Sequence, residues 1–417
     1  MNCKLTDRQV DRITGEFGSP VYVFHEEAFA ANYRALLEAF RAIYPKYNIA
    51  YSYKTNYTPC ICAKVKELGG AAEVVSDMEY RLARRLGYNA GGIVYNGPVK
   101  GPGLYEHLLE GGAANIDNLD ELRSVARFAG AHPEKTFRLA FRVNVDIGQD
   151  FVSRFGLDAY EFPREGAEID EAVALVRAQP NLRIAGVHCH VGRSRSLEAW
   201  RNRVRVLFAL IDRYFSDDEL EFVDFGSGMN SVMEPSLAAQ FGGHIPDYGE
   251  YAAILAGAMR EKYGALPPEK QPVLYTEPGT TVVSGYLSFL STVQSIKNVK
   301  GKTFVTFDGS SGNMGDICHL KQLPVSVFRR GQAPRMCRDA EFAGYTCLEH
   351  DEMYRGFCGE IAVGDVVQFR NVGSYSNVFK PPFIYPNCAM VRLKADGSVD
   401  CIKRAETFED VFSTYIF

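Results

Sequence analysis

No apolar run in this chain approaches the ~20 residues needed to cross a bilayer, so no membrane-spanning role is expected. Residues 1–12 (MNCKLTDRQVDR) lack the apolar core of a secretory signal. Basic runs and arginine-rich stripes are missing and the formal net charge is -5, which disfavours nucleic acid and acidic membrane surfaces as partners. The ten cysteines show no CxxC pairing. Cys60 and Cys62 are too close for a metal knuckle and read as helix residues. Such thiols suit a reduced, cytoplasmic protein better than a disulfide scaffold. Repeats, low-complexity stretches and long linkers are lacking, as is the GxGxxG fingerprint of an open, doubly wound nucleotide-binding sheet.

What is present is a rhythm. Short β-branched or aromatic runs alternate with longer amphipathic ones, the signature of strand–helix units and a parallel sheet. Eight strands are expected, at 47–53, 71–75, 92–96, 113–116, 137–144, 184–190, 220–225 and 272–277. Helical patterns fill most gaps, among them 77–87 capped by Asp77, 118–129 capped by Asn118, 195–215 and 247–264. Eight such units in roughly 250 residues match an α/β fold of the TIM (β/α)8 barrel type. After residue 280 the runs become short and strand-like. KNVKGKTFVTF reads as a hairpin around Lys300 and Gly301, and VGDVVQF as a turn into a strand. The expected division is a barrel over 28–280 and a mostly β domain from 1–27 plus 281–417, with VYVF (21–24) pairing into the latter.

In barrels of this kind active sites lie at the C-terminal ends of the strands, and the unusual residues collect there. Lys54 ends the first strand, Glu73 and Ser76 the second; Asn96 and Lys100 follow the third. Arg142 and Asn144 end the fifth, His188 and His190 the sixth. Gly226, Ser227 and Gly228 follow the seventh, and Glu277-Pro278-Gly279 closes the eighth. A lysine in a strand is usually an exposed edge residue. If this strand is buried, its amine needs a partner or a neutral state, which suits imine chemistry. No carboxylate neighbours His188 and His190 in sequence, so no metal site is expected. GSG alone is often only a turn, but phosphate sites in these barrels form after strands seven and eight. The letters DFG at 224–226 come without the glycine-rich loop or HRD of a kinase.

In this order and spacing, YSYKTN (51–56), GVHCHVG (186–192), DFGSGM (224–229), EPG (277–279) and GSY (373–375) resemble the motifs of the fold-type III, alanine racemase-like, pyridoxal-phosphate decarboxylases, the group containing diaminopimelate and eukaryotic ornithine decarboxylases. The resemblance covers nearly the whole chain. It implies that Lys54 holds the cofactor as a Schiff base, Glu277 pairs with the pyridine nitrogen and His190 stacks on the ring. It also implies that Gly226, Ser227, Gly228 and Gly279 give backbone donors to the phosphate, with a hydroxyl from Tyr375. Cys347 in GYTC would return a proton after decarboxylation, with Asp351 four residues on. A homodimer with shared active sites is implied as well.

Departures from the family pattern bear on the substrate. Thr280 stands where the family has arginine after EPG, and Arg193 where it has serine after HVG. Arg193 is therefore expected near the cofactor phosphate. Leu348 replaces the acid after the cysteine, leaving Glu349 and Asp351 as the acidic substrate-binding candidates. The region 307–325 lacks the arginine that clamps a distal carboxylate in diaminopimelate decarboxylases. The expected activity is decarboxylation of an amino acid or an amino-acid conjugate in a specialised pathway. Alternatives are diaminopimelate decarboxylation in lysine biosynthesis, amino-acid racemisation and a non-catalytic regulatory homologue.

Overall fold

The computed structural model describes residues 3–160, 166–193 and 195–417. The chain forms two compact units, one from Tyr33–Asn230 and Ile245–Gly279, the other from residues up to Asn32, Ser231–His244 and Thr280–Phe417.

The first unit is a closed ring of eight parallel strands: β1 (Tyr47–Ser52), β2 (Ala71–Val74), β3 (Ile93–Tyr95), β4 (Ala113–Ile116), β5 (Phe137–Asn144), β6 (Leu182–His188), β7 (Phe222–Asp224) and β8 (Val273–Thr276). β4 pairs with β5, and β8 closes on β1 through Leu274 opposite Tyr47. The strands are buried almost throughout, as strands covered on both faces must be, and alternate positions point into the ring. Ala50, Ala71 and Val94 pack together with Tyr275, and Ala140 and Ala185 with Phe222. The alanines leave room for the two rings, which meet edge to face at 5.9 Å. At Gly186 even a methyl group would come within 2.5 Å of the Phe222 ring.

Two residues further along, the same inward face turns polar. Ser52, Glu73, Asn96, Asn115, Arg142, His188, Asp224 and Glu277 form a polar ring above the apolar plug. The helices follow the expected caps, with one correction. Ser76, not Asp77, caps the helix Asp77–Arg85, its hydroxyl accepting from Glu79 N–H. Asn118 caps Leu119–Gly130, and Asp247 with Glu250 makes a capping box on Tyr248–Tyr263.

The second unit is a nine-stranded sheet. The early strand Val21–His25 lies within it, antiparallel to Leu287–Val299 and parallel to Ala389–Leu393. The hairpin turns at Lys300 and Gly301, both at positive φ, between antiparallel strands Leu287–Val299 and Lys302–Phe307. The segment 231–244, expected within the barrel, groups with the sheet unit. The reason is polar: Arg370 grips Glu234 with two hydrogen bonds, at 2.5 and 2.8 Å, and Lys321 reaches Gln240 O.

Candidate active site

Lys54 sits in a single 3-10 turn, Tyr53–Thr55, directly after β1. The turn is tied to the end of β8, since Ser52 N–H donates to Pro278 O at 3.4 Å. A methyl group on Gly279 would run into the Thr55 side chain, so only glycine permits this approach. The Lys54 amine reaches Glu73 Oε2 at 2.5 Å and Ser52 Oγ at 2.8 Å. Its side chain is 36% exposed while that of Glu73 is 0% exposed. The lysine is thus neither an edge residue nor buried in apolar surroundings, but an amine held at a cavity wall by a buried acid.

Glu73 passes the chain of contacts on. Asn96 Nδ2 donates to Glu73 Oε1 at 3.0 Å and to Glu277 Oε1 at 2.5 Å, and Asn115 Nδ2 donates to Asn96 Oδ1 at 2.5 Å. Lys54 and Glu277 therefore face one another across a single cavity of about 400 Å³, lined also by Arg142, Phe151, Arg154, Phe155, His188, His190 and Arg193.

Glu277 is buried. Burial alone would raise its carboxyl, but the imidazole of His188, then the Lys54 ammonium, hold it well below the usual carboxylate range. His188 Nε2 lies 3.2 Å from Glu277 Oε2. Asp224 answers in the opposite sense: burial and the neighbouring Glu277 push it far up, so it keeps its proton while Glu277 is ionised. His190 is held neutral by burial, and its Nδ1 accepts from Ser227 N–H at 3.1 Å. His188, His190 and Glu277 offer ligand atoms within 4.8 Å of one another. The carboxylate that sequence neighbours do not supply to the histidines thus comes from β8.

The turn after β7 differs from expectation in detail. Gly226 N–H donates to Asp224 Oδ1 at 2.8 Å and Ser227 N–H to His190, so neither is left for a ligand. Gly226 is required for another reason: at φ 60 a methyl there would lie 2.7 Å from His190 Cβ. Among the described residues, Gly192 and Gly228 N–H have no hydrogen-bond partner. Arg193, expected beside the phosphate, is exposed at the cavity mouth with its guanidinium 5.4 Å from the Phe151 ring. Lys100 is a support, its amine buried against Glu121 at 2.6 Å. Asn115, Asp224 and Arg203 were not singled out in the sequence. Alternation along β4 and β7 places the first two in the polar ring, whereas Arg203 is hidden in a helical pattern.

The remaining expected site residues belong to the sheet unit. Cys347 stands exposed on a turn, beside exposed Leu348 and Glu349. Asp351, expected at the substrate, uses both oxygens locally. Oδ1 accepts from Ser311 N–H and Oγ at 2.7 and 2.8 Å, and Oδ2 from Thr346 N–H and Oγ1 at 3.1 and 2.6 Å. It braces the Cys347 turn, leaving Glu349 as the acid free to face outward. Tyr375 is held at φ 51, a left-handed conformation that is strained for a bulky side chain. It lines a cavity of about 290 Å³ with Asp351 and Phe379.

Glu79 lies beneath the Lys54–Glu73 pair, accepting from Val75 N–H at 2.8 Å. Burial and the Glu73 charge push it from 4.5 up to about 7. A carboxyl raised in the folded state loses stability as pH climbs through that interval. Glu79→Gln is therefore expected to melt several degrees above the wild type at pH 8, by on the order of 3 kcal/mol at most. The gap should close by about pH 4, where both states are protonated; melting curves across pH measure it.

Residues 30–284 match the family model described as pyridoxal-dependent decarboxylase, pyridoxal binding domain. The chain is 26% identical to the diaminopimelate decarboxylase of Methanothermobacter thermautotrophicus, over 96% of this chain and 92% of that one. It is 25% identical to that of Neisseria meningitidis serogroup B, over 95% and 93%. The crystal structure of the M. jannaschii diaminopimelate decarboxylase in complex with L-lysine superposes with a TM-score of 0.82 at 23% identity, covering 98% of this chain and 94% of that one.

Proposed function

Since this chain belongs to the pyridoxal-dependent decarboxylases and is a pyridoxal-phosphate-dependent amino-acid carboxy-lyase like its relatives, we propose that Lys54 and Glu277 hold the two sides of its cofactor ring and that the substrate is an amino acid bearing an anionic extension. The single observation that carries this reading is the contact chain Lys54–Glu73–Asn96–Glu277 across one cavity.

The barrel residues fit the cofactor. A nucleophilic amine, a buried ionised acid, a neutral imidazole and two unpartnered glycine N–H groups match an aldehyde, a ring nitrogen, a ring face and a phosphate. When bound, pyridoxal phosphate supplies a ring that takes up the electron pair left as carbon dioxide departs. Lys54, set in place by Glu73 and Ser52, would hold the aldehyde. Glu277, kept ionised beside the Lys54 ammonium, would pair with the ring nitrogen. Protonated Asp224 spares that acid a second negative charge. His190, fixed by Ser227 N–H, would cover one face. Cys347, exposed on its turn, would be the proton donor, placed to serve the neighbouring subunit of a homodimer.

Substrate choice follows from the cavity wall. Arg142, Arg154 and Arg193 line it, together with Phe151 and Phe155, while its acids among the described residues are Glu73 and Glu277. A distal ammonium would find no free acid there, and an unpaired buried charge costs ~3–5 kcal/mol. An amino-acid conjugate ending in a carboxylate therefore suits the wall better than free diaminopimelate. Full-length similarity to diaminopimelate decarboxylases favours the second reading, diaminopimelate itself. Carbon dioxide release from a panel of L- and D-amino acids decides between them, with diaminopimelate, lysine, ornithine, arginine and citryl- and glutamyl-conjugated amines included. Release from a conjugate supports the first reading, whereas release from diaminopimelate alone refutes it. Racemisation without gas release would refute both.

Arg193→Ser should raise KM for an anionic substrate ~10-fold, the loss of one charged contact. Cofactor retention should be unchanged, because Arg193 sits at the mouth. Loss of cofactor instead would put the side chain back at the phosphate.

A further inference from the structure

Helix Leu197–Tyr214 carries a cation that the chemistry above does not use. Arg203 is 0% exposed, and no carboxylate lies among the charges that act on it. Its Nη1 donates to Phe225 O at 2.8 Å and Ser227 O at 3.1 Å, and its Nη2 to Val191 O at 2.9 Å. The guanidinium lies 3.9 Å from the Trp200 ring centroid, and Nε has no partner.

A buried cation balanced only by carbonyl dipoles and a ring face is costly unless an anion lies near. The three carbonyls it gathers come from the loop after β6 and the turn after β7. In a trans peptide the N–H points opposite to the C=O. Drawing Val191 O and Ser227 O toward Arg203 therefore turns Gly192 and Gly228 N–H the other way. Among the described residues those two N–H groups have no hydrogen-bond partner, and Gly192 lines the Lys54 cavity. Gly228 holds φ 121, open to glycine.

We propose that Arg203 is a positioning residue for a phosphate monoester: it pulls the carbonyls of two loops to one side, presents the N–H groups of Gly192 and Gly228 on the other, and lends that face its buried positive charge. The proposal rests on the functional reading only for naming the anion as the cofactor's phosphate.

The test titrates the full-length apoprotein and Arg203→Gln with pyridoxal phosphate and with pyridoxal, which lacks the phosphate. Arg203→Gln is expected to weaken pyridoxal phosphate on the order of 10- to 100-fold and pyridoxal by less than about threefold. Equal loss for both ligands, or no loss for either, overturns the proposal. If the glutamine variant does not fold, Arg203→Lys carries the same comparison, since it keeps the charge but lacks the planar fork that reaches three carbonyls. It should show a smaller loss confined to pyridoxal phosphate, and equal losses again overturn the idea. A wild-type protein that binds neither ligand refutes the functional reading itself, before any variant is made.

Discussion

Lys54→Ala is expected to release carbon dioxide at least ~10³-fold more slowly than the wild type, the scale set by losing an activated nucleophile. It should also lose covalent retention of the cofactor. The amine is the only lysine lining the cavity that holds Glu277, His188 and His190, so no neighbour can take its place. Lys54→Arg sharpens the result. Arginine keeps the ion pair with Glu73 but remains protonated and cannot bond an aldehyde. If charge alone mattered, Lys54→Arg would keep most of the activity; if the nucleophile matters, it falls as far as Lys54→Ala. Steady-state rates of the two variants separate these cases.

Glu277→Gln has the next largest expected effect, a fall in kcat of roughly 10²–10⁴-fold, as for a positioned acid–base group. Glutamine retains an oxygen for Asn96 but no charge to hold a proton on a ring nitrogen. Cofactor retention should survive, because Lys54 and Gly192 lie elsewhere on the cavity wall. Adding Asp224→Asn to Glu277→Gln should change little further, since Asp224 acts through the charge it no longer faces. A Glu277→Gln enzyme with wild-type kcat, or one that loses cofactor and rate together, would contradict the assigned role. Both quantities come from one preparation, by gel filtration followed by assay.

The barrel was legible because its strands obey two simple periods at once. Alternation put Ala71 and Glu73, Val94 and Asn96, and Tyr275 and Glu277 on one inward face, apolar below and polar above. Caps such as Asn118 and Asp247 marked where helices begin. What alternation cannot show is which polar atoms are already taken. Gly226 and Ser227 read as phosphate donors, yet Asp224 and His190 claim their N–H groups. Asp351 read as a substrate contact, yet four local hydrogen bonds fix it under the Cys347 turn. Arg203 was invisible for a different reason. In sequence it is one of several arginines on an amphipathic helix, and only packing against Trp200 and three carbonyls distinguishes it from a solvated one. The affinity of 231–244 for the sheet unit was likewise hidden, because it depends on the long-range pair Glu234–Arg370.

The chemistry of the cavity depends on where the cofactor is attached. Borohydride reduction of the purified, cofactor-loaded protein, followed by proteolysis and mass spectrometry, reads this directly. The reduced cofactor mass should appear on the peptide containing Lys54. Its appearance on another lysine, or on none, would contradict the assignment of the amine that faces Glu277.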